Sequence, residues 1–99
     1  MVIRNIDIPS EAIAAFCARH HVRRLALFGS VLREDFRSDS DLDVLVEFEP
    51  GHKPGLAFFG MQEELSGLLG RKVDLNTAGF LSRYFRDEVL REAVVAYER

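Results

Sequence analysis

Hydrophobic and polar positions along the chain repeat with two different periods. After Pro9-Ser10-Glu11, the apolar residues Ile13, Phe16 and Cys17 recur at helical spacing, and the pattern stops near His20-His21. Ser10 is the expected N-cap of this helix, with acid in its first turn. Val22 to Phe28 is a short apolar run halted by Gly29-Ser30, which predicts a buried strand. Val31 to Asp35 reads as one or two helical turns, and Arg37 to Ser40 as a polar turn. From Asp41 to Glu49 the chain alternates. Leu42, Val44, Val46 and Phe48 share one face, while Asp41, Asp43, Leu45, Glu47 and Glu49 share the other. This predicts a strand with one face in the core and one polar face.

Pro50 to Gly55 carries the loop residues, and Phe58, Met61, Leu65, Leu68 and Leu69 then trace a helical stripe capped by Gly70. Lys72 to Asn76 predicts a short strand, with Val73 and Leu75 facing opposite to Asp74. Phe80 to Tyr97 is expected to close the chain as one helix, with Phe85, Val89, Leu90, Ala93, Val94 and Tyr97 on one side. Strands alternating with helices imply one sheet covered by helices, an α/β (α+β) fold.

Composition narrows the function. The 99 residues are 47% hydrophobic, enough for a single domain over 1–99 with one core. The formal net charge of -3 does not favour duplex binding by phosphate contacts, so no strong nucleic-acid signal is present. The lone Cys17 excludes an internal disulfide and fits a reducing cytoplasmic compartment. No apolar run approaches the ~18–20 residues of a membrane span, and Met1 to Asp7 has no secretory pattern, so no membrane association is expected.

Two segments carry candidate chemistry. Gly29-Ser30 lies between a strand and a helical turn, where glycine permits close backbone approach and free amides can hold an anion. Taken alone, glycine-serine after a strand is more often just a turn. Asp41 and Asp43 fall on one face of a strand, where close carboxylates repel unless a cation sits between them. Such oxygen-rich sites suit Mg²⁺, which takes one or two carboxylates together with substrate phosphates. Asp74, on another strand, is the natural third ligand. A calcium loop counted from Asp39 fails, because Val44 stands where glycine is required and Pro50 where the bidentate glutamate is required. Neither a GxxxxGK[ST] loop nor a strand-linked GxGxxG is present.

Gly29-Ser30, Arg33, Asp35, Ser40-Asp41-Leu42-Asp43-Val44-Leu45-Val46 and Lys72-Val73-Asp74-Leu75 together resemble the minimal nucleotidyltransferase (MNT) family, of the DNA-polymerase-beta-like superfamily. The resemblance runs from about Val22 to the C-terminus and includes Arg91 to Glu98. It implies a small mixed three-stranded sheet flanked by helices, with the first strand antiparallel to the second. It implies that Ser30 and its neighbouring amides hold the β- and γ-phosphates of ATP. Asp41 and Asp43 would carry two Mg²⁺ ions, with Asp74 as the third carboxylate near the acceptor hydroxyl. The family further implies an adenylyltransferase that silences a HEPN-domain ribonuclease toxin by adding AMP to a tyrosine, and so acts as an antitoxin. Two other functions stay open: an antitoxin that only masks its partner, and a transferase acting on a small molecule such as an aminoglycoside.

The remaining polar residues divide more evenly. Arg33 either reaches a nucleotide phosphate or pins its loop through Asp35 or Asp39. Glu47 is expected to be structural. His20 and His21, with Arg19, Arg23 and Arg24, are expected to complement a helix C-terminus. His52 has no visible partner. Phe58, Phe59, Phe80 and Phe85 read as core, some shared with a partner, and homo-oligomerisation stays open.

Overall fold

A computed structural model of the chain describes residues 1–4, 6–33 and 40–99, with Phe80 described for its backbone alone. Asp35 and the expected turn at Arg37 to Asp39 lie outside the described residues.

The chain opens with a small antiparallel hairpin of β1 (Val2–Ile3) and β2 (Ile6–Asp7). Helix α1 (Ser10–Arg19) follows and buries Ile13, Phe16 and Cys17, the apolar stripe read from the sequence. Its cap is Pro9 rather than Ser10. The Pro9 carbonyl oxygen accepts the first helical bond, from the Ile13 N–H at 2.9 Å, while the Ser10 hydroxyl turns back to the Ile8 carbonyl at 3.4 Å.

Strand β3 (Val22–Phe28) runs into a 3-10 turn over Gly29–Leu32, so the expected helical turn starts two residues early and is tighter. Strand β4 (Leu42–Phe48) pairs antiparallel with β3 and places Phe28 opposite Asp43. Helix α2 (Ala57–Leu69), closed by Gly70 at φ 68°, supplies the crossover that a parallel pair requires. Strand β5 (Val73–Asn76) then lies parallel to β4, with Asp43 beside Asp74.

The final segment departs from expectation. Instead of one helix over Phe80 to Tyr97, the chain makes a 3-10 turn (Ala78–Phe80), a short helix α3 (Arg86–Glu92) and a strand β6 (Val94–Glu98). Strand β6 pairs antiparallel with β3, giving the order β5-β4-β3-β6. The mixed sheet flanked by helices, with β3 antiparallel to β4, is the expected fold, and the sheet has a fourth strand. Apolar spacing in this segment continues the helical arithmetic of Val89 and Ala93, which concealed the change. Val94, Val95 and Tyr97 favour extended backbone, and the second edge of β3 gains partners for its N–H and C=O groups.

One sheet face carries the main core. Helices α1 and α2 pack Phe16, Met61 and Leu65 against Leu25, Leu27, Leu42, Val44, Val46, Val73 and Leu75. The other face is not wholly polar, as the alternation had suggested. Leu45, exposed to 2%, joins Phe28 and Leu81 in a second cluster, against which Val89, Leu90 and Ala93 pack. This cluster leaves the start of β4 and the adjoining part of β5 to the aspartates.

Candidate active site

The strand register builds the site. Asp43 is half-buried between Phe28 of β3 and Asp74 of β5, and Asp41 precedes it at the exposed mouth of the sheet. The Asp43 carboxyl is pushed above the usual carboxylate range, first by burial and then by the negative charge of Asp74. Asp41 adds to the repulsion, and a side-chain hydrogen bond with Asp74 favours the protonated form. A hydrogen bond donated by the Ser30 backbone N–H works in the opposite direction. Negative charge is thus crowded around Asp43, an arrangement that a bound cation would relieve.

Gly29 is required at its position for two reasons. Its φ is +75°, a conformation that side-chain-bearing residues adopt at a cost. A Cβ built there would also lie 2.3 Å from Asp43 Oδ2. The next residue, Ser30, uses its amide on Asp43 and accepts the Arg33 N–H on its carbonyl oxygen at 3.0 Å. The glycine-serine turn and the strand aspartate, separate in sequence, are therefore one structural unit. Arg33 is exposed beside a hollow of about 270 Å³, lined also by Gly29, Leu32, Phe85, Glu88 and Glu92. Its alternative partners Asp35 and Asp39 lie outside the described residues.

Asp41 is exposed, and the Lys72 ammonium stands 3.9 Å from its Oδ2. Lys72 was recognised in the sequence as part of the Lys72-Val73-Asp74-Leu75 motif but with no role of its own. Among the described residues, no group of three or more His, Cys, Asp or Glu is arranged to hold a metal ion unaided. A Mg²⁺ ion that draws much of its coordination from substrate phosphates needs no such cage. The crowded Asp43–Asp74 pair, with Asp41 close enough to act on it, fits that requirement.

Beyond Asp74 the sheet edge opens into a cavity of about 560 Å³, which sequence reasoning did not find. Phe48, Phe58, Phe59, Leu75 and Pro54 give it apolar walls, and Asp74, Asn76, Thr77 and Gln62 give it polar ones. Phe59 is 68% exposed rather than core. Its residues come from the ends of β4 and β5, the following loop and α2, so no contiguous motif announces it.

Other side chains have structural partners. Glu47 lies 3.4 Å from both Arg23 and Arg24, in keeping with a structural role. His20 does not act only at the helix end: its Nε2 is 2.9 Å from Glu64 Oε1, and Arg19 also pairs with Glu64, tying α1 to α2. The Arg19 and His20 contacts hold the Glu64 carboxyl below its usual range. His52 does have a partner, the ring of His21, with centroids 4.5 Å apart.

Comparison with known proteins agrees with this geometry. The sequence profile described as "Nucleotidyltransferase domain" matches residues 10–96. Protein adenylyltransferase MntA of Thermococcus cleftensis is 42% identical over 77 residues, which cover 77% of this chain and 76% of the relative. A solved chain assigned by name to the minimal nucleotidyltransferases is 45% identical, superposes with a TM-score of 0.69 and covers 86% of each chain. A toxin–antitoxin crystal structure with AMP-PNP, at 18% identity, shares the fold with a TM-score of 0.70, over 92% of this chain and 74% of the other. The turn that Gly29 makes beneath Asp43, the carboxylate pair across β4 and β5 and these matches lead to one assignment: the chain belongs to the nucleotidyltransferase-domain family and is a nucleotidyltransferase enzyme.

Proposed function

We propose that the chain transfers AMP from ATP, with Mg²⁺, to a tyrosine hydroxyl of a HEPN-domain toxin and thereby acts as its antitoxin. The observation that carries the reading is the seating of the Asp43 carboxylate directly against Gly29 and beside Asp74 in the strand register, which joins the glycine-serine turn to a carboxylate pair. The relative from Thermococcus cleftensis is named a protein adenylyltransferase. A fold neighbour, with a TM-score of 0.63 over 91% of this chain, is an MNT antitoxin in complex with a tri-AMPylated Shewanella oneidensis HEPN toxin.

Asp41, Asp43 and Asp74 would hold Mg²⁺, which neutralises phosphate charge and lowers the pKa of the attacking hydroxyl. The chain's own groups do the positioning. The Gly29-Ser30 turn, with Arg33 close by, orients the β- and γ-phosphates. In-line displacement sets the incoming oxygen opposite the departing pyrophosphate. With the phosphates at the Ser30 end, the acceptor enters from the Asp74 end, where the aromatic-lined cavity opens. Asp74 receives the hydroxyl proton there, the oxygen forms its bond to the α-phosphorus, and pyrophosphate leaves towards Ser30.

The test is transfer of label from α-labelled ATP with Mg²⁺ to a HEPN protein, by the wild type and by Asp43→Asn. The wild type should label the partner and the variant should lose transfer while keeping its fold. Mg²⁺ with ATP should raise the wild-type melting midpoint more than the variant's, since a ligand bound only by the native state stabilises it. Equal transfer by both proteins would refute the site. Neutralisation of the toxin by Asp43→Asn would show that binding alone suffices, and transfer only to a small hydroxylated molecule would replace the acceptor.

A further inference from the structure

Among the described residues, strand β5 is an edge strand, hydrogen-bonded to β4 on one side only. On its other side the N–H groups that flank Asp74 are not free. The Val73 N–H donates to Ser66 Oγ at 3.0 Å, and the Leu75 N–H donates to Gln62 Oε1 at 2.9 Å. The Ser66 hydroxyl also donates to the Gln62 carbonyl at 2.9 Å. Ser66 and Gln62 are one turn apart on α2, so one helix face grips the strand immediately before and immediately after the aspartate. Capping an edge in this way blocks strand addition by other chains. That does not account for the position of the grip, which brackets the one residue of β5 that meets Asp43.

We propose that Ser66 and Gln62 are positioning residues of the transferase: they fix the β5 backbone so that the exposed Asp74 carboxylate stays against Asp43. The proposal rests on the assignment of Asp74 to the acceptor end of the site. Neither side chain touches the phosphate turn at Ser30, so their loss should slow transfer and leave nucleotide binding intact. Misplacing a reacting group by about 1 Å costs on the order of 100-fold in rate, and loss of a group that orients a metal ligand costs about 10- to 100-fold.

The experiment compares wild type, Ser66→Ala, Gln62→Ala and Ser66→Thr at a temperature well below every melting midpoint. Amide exchange at Val73 and Leu75, kcat for AMP transfer and the Kd of a non-hydrolysable ATP analogue are measured for each. In Ser66→Ala the Val73 amide should exchange faster, kcat should fall about 10-fold or more and Kd should stay within about 2-fold. Gln62→Ala should do the same through Leu75, and Ser66→Thr, which retains the hydroxyl, should restore kcat. Faster exchange with unchanged kcat would overturn the proposal and leave the bonds as edge protection alone. A rise in Kd equal to the fall in kcat would also overturn it, by showing general loosening. Failure of the underlying site reading is seen separately, as undiminished transfer by Asp43→Asn with all four proteins otherwise normal.

Discussion

Gly29→Ala separates the backbone demand at the glycine-serine turn from the demand made by the site. Alanine at φ +75° enters the left-handed region, which costs a side-chain-bearing residue about 1–2 kcal/mol. The new Cβ meets Asp43 Oδ2 at 2.3 Å, so the carboxylate must retreat by about 1 Å to reach ordinary contact. That retreat is cheap in stability, because the displaced atom is the end of a side chain. It is expensive in rate, because about 1 Å of misplacement costs on the order of 100-fold. Gly70→Ala is the control. It imposes a similar strain at φ +68°, with nothing within 4 Å of its Cβ and no part in the site.

Both variants should therefore melt lower by a similar amount, about 4–8 °C for each kcal/mol in a domain of this size. Only Gly29→Ala should lose AMP transfer, by about 100-fold. Thermal melts and single-turnover transfer assays measure both effects. Transfer by Gly29→Ala within a few-fold of Gly70→Ala would refute the reasoning, since the carboxylate would then act from a different place.

Two further perturbations test the fold. Ala96 in strand β6 is only 8% exposed and belongs to the main core. Ala96→Asp should destabilise by about 3 kcal/mol or more by urea denaturation, as an unpaired buried charge does, and a neutral effect would contradict the packing of β6 against the core. Burial pushes the Cys17 thiol up to about 12 from an ordinary 9.0. The unfolded chain thus loses this proton first as pH rises, and the native state loses relative stability between those two values. Wild type should lose up to about 1.4 kcal/mol per pH unit relative to Cys17→Ala across that window, and parallel stability curves would contradict the burial.

The sequence announced some elements and concealed others for identifiable reasons. Strand β3 and helix α2 were legible because each buries one continuous run or stripe, and turn residues mark their ends. The strand at the C-terminus was hidden because Val89, Ala93, Val94 and Tyr97 satisfy helical spacing, while the backbone leaves the helix at Ala93 with ψ 138°. Only the unmet hydrogen bonds of β3 decide between the two, and those belong to a strand about seventy residues earlier in the chain. Leu45 was misjudged by the same limitation. Alternation gives its face, and the cover supplied by Phe28 and Leu81 comes from elsewhere.

The site shows how a sequence motif can have a packing cause. Gly29-Ser30 and Asp41-Leu42-Asp43 read as two separate motifs, each also explicable as a turn or a solvated edge. The register of β3 against β4 puts Phe28 opposite Asp43, so the residue after Phe28 must cross directly over the carboxylate. A side chain there would occupy the place of Oδ2, and the turn needs a positive φ at that point. With glycine in place, the Ser30 amide reaches Asp43 and offsets part of the cost of burying it beside Asp74. The glycine and the aspartate are thus constrained by each other before any nucleotide is considered. A chain that moved Asp43 by one residue would turn its side chain into the main core and lose the reason for Gly29 as well.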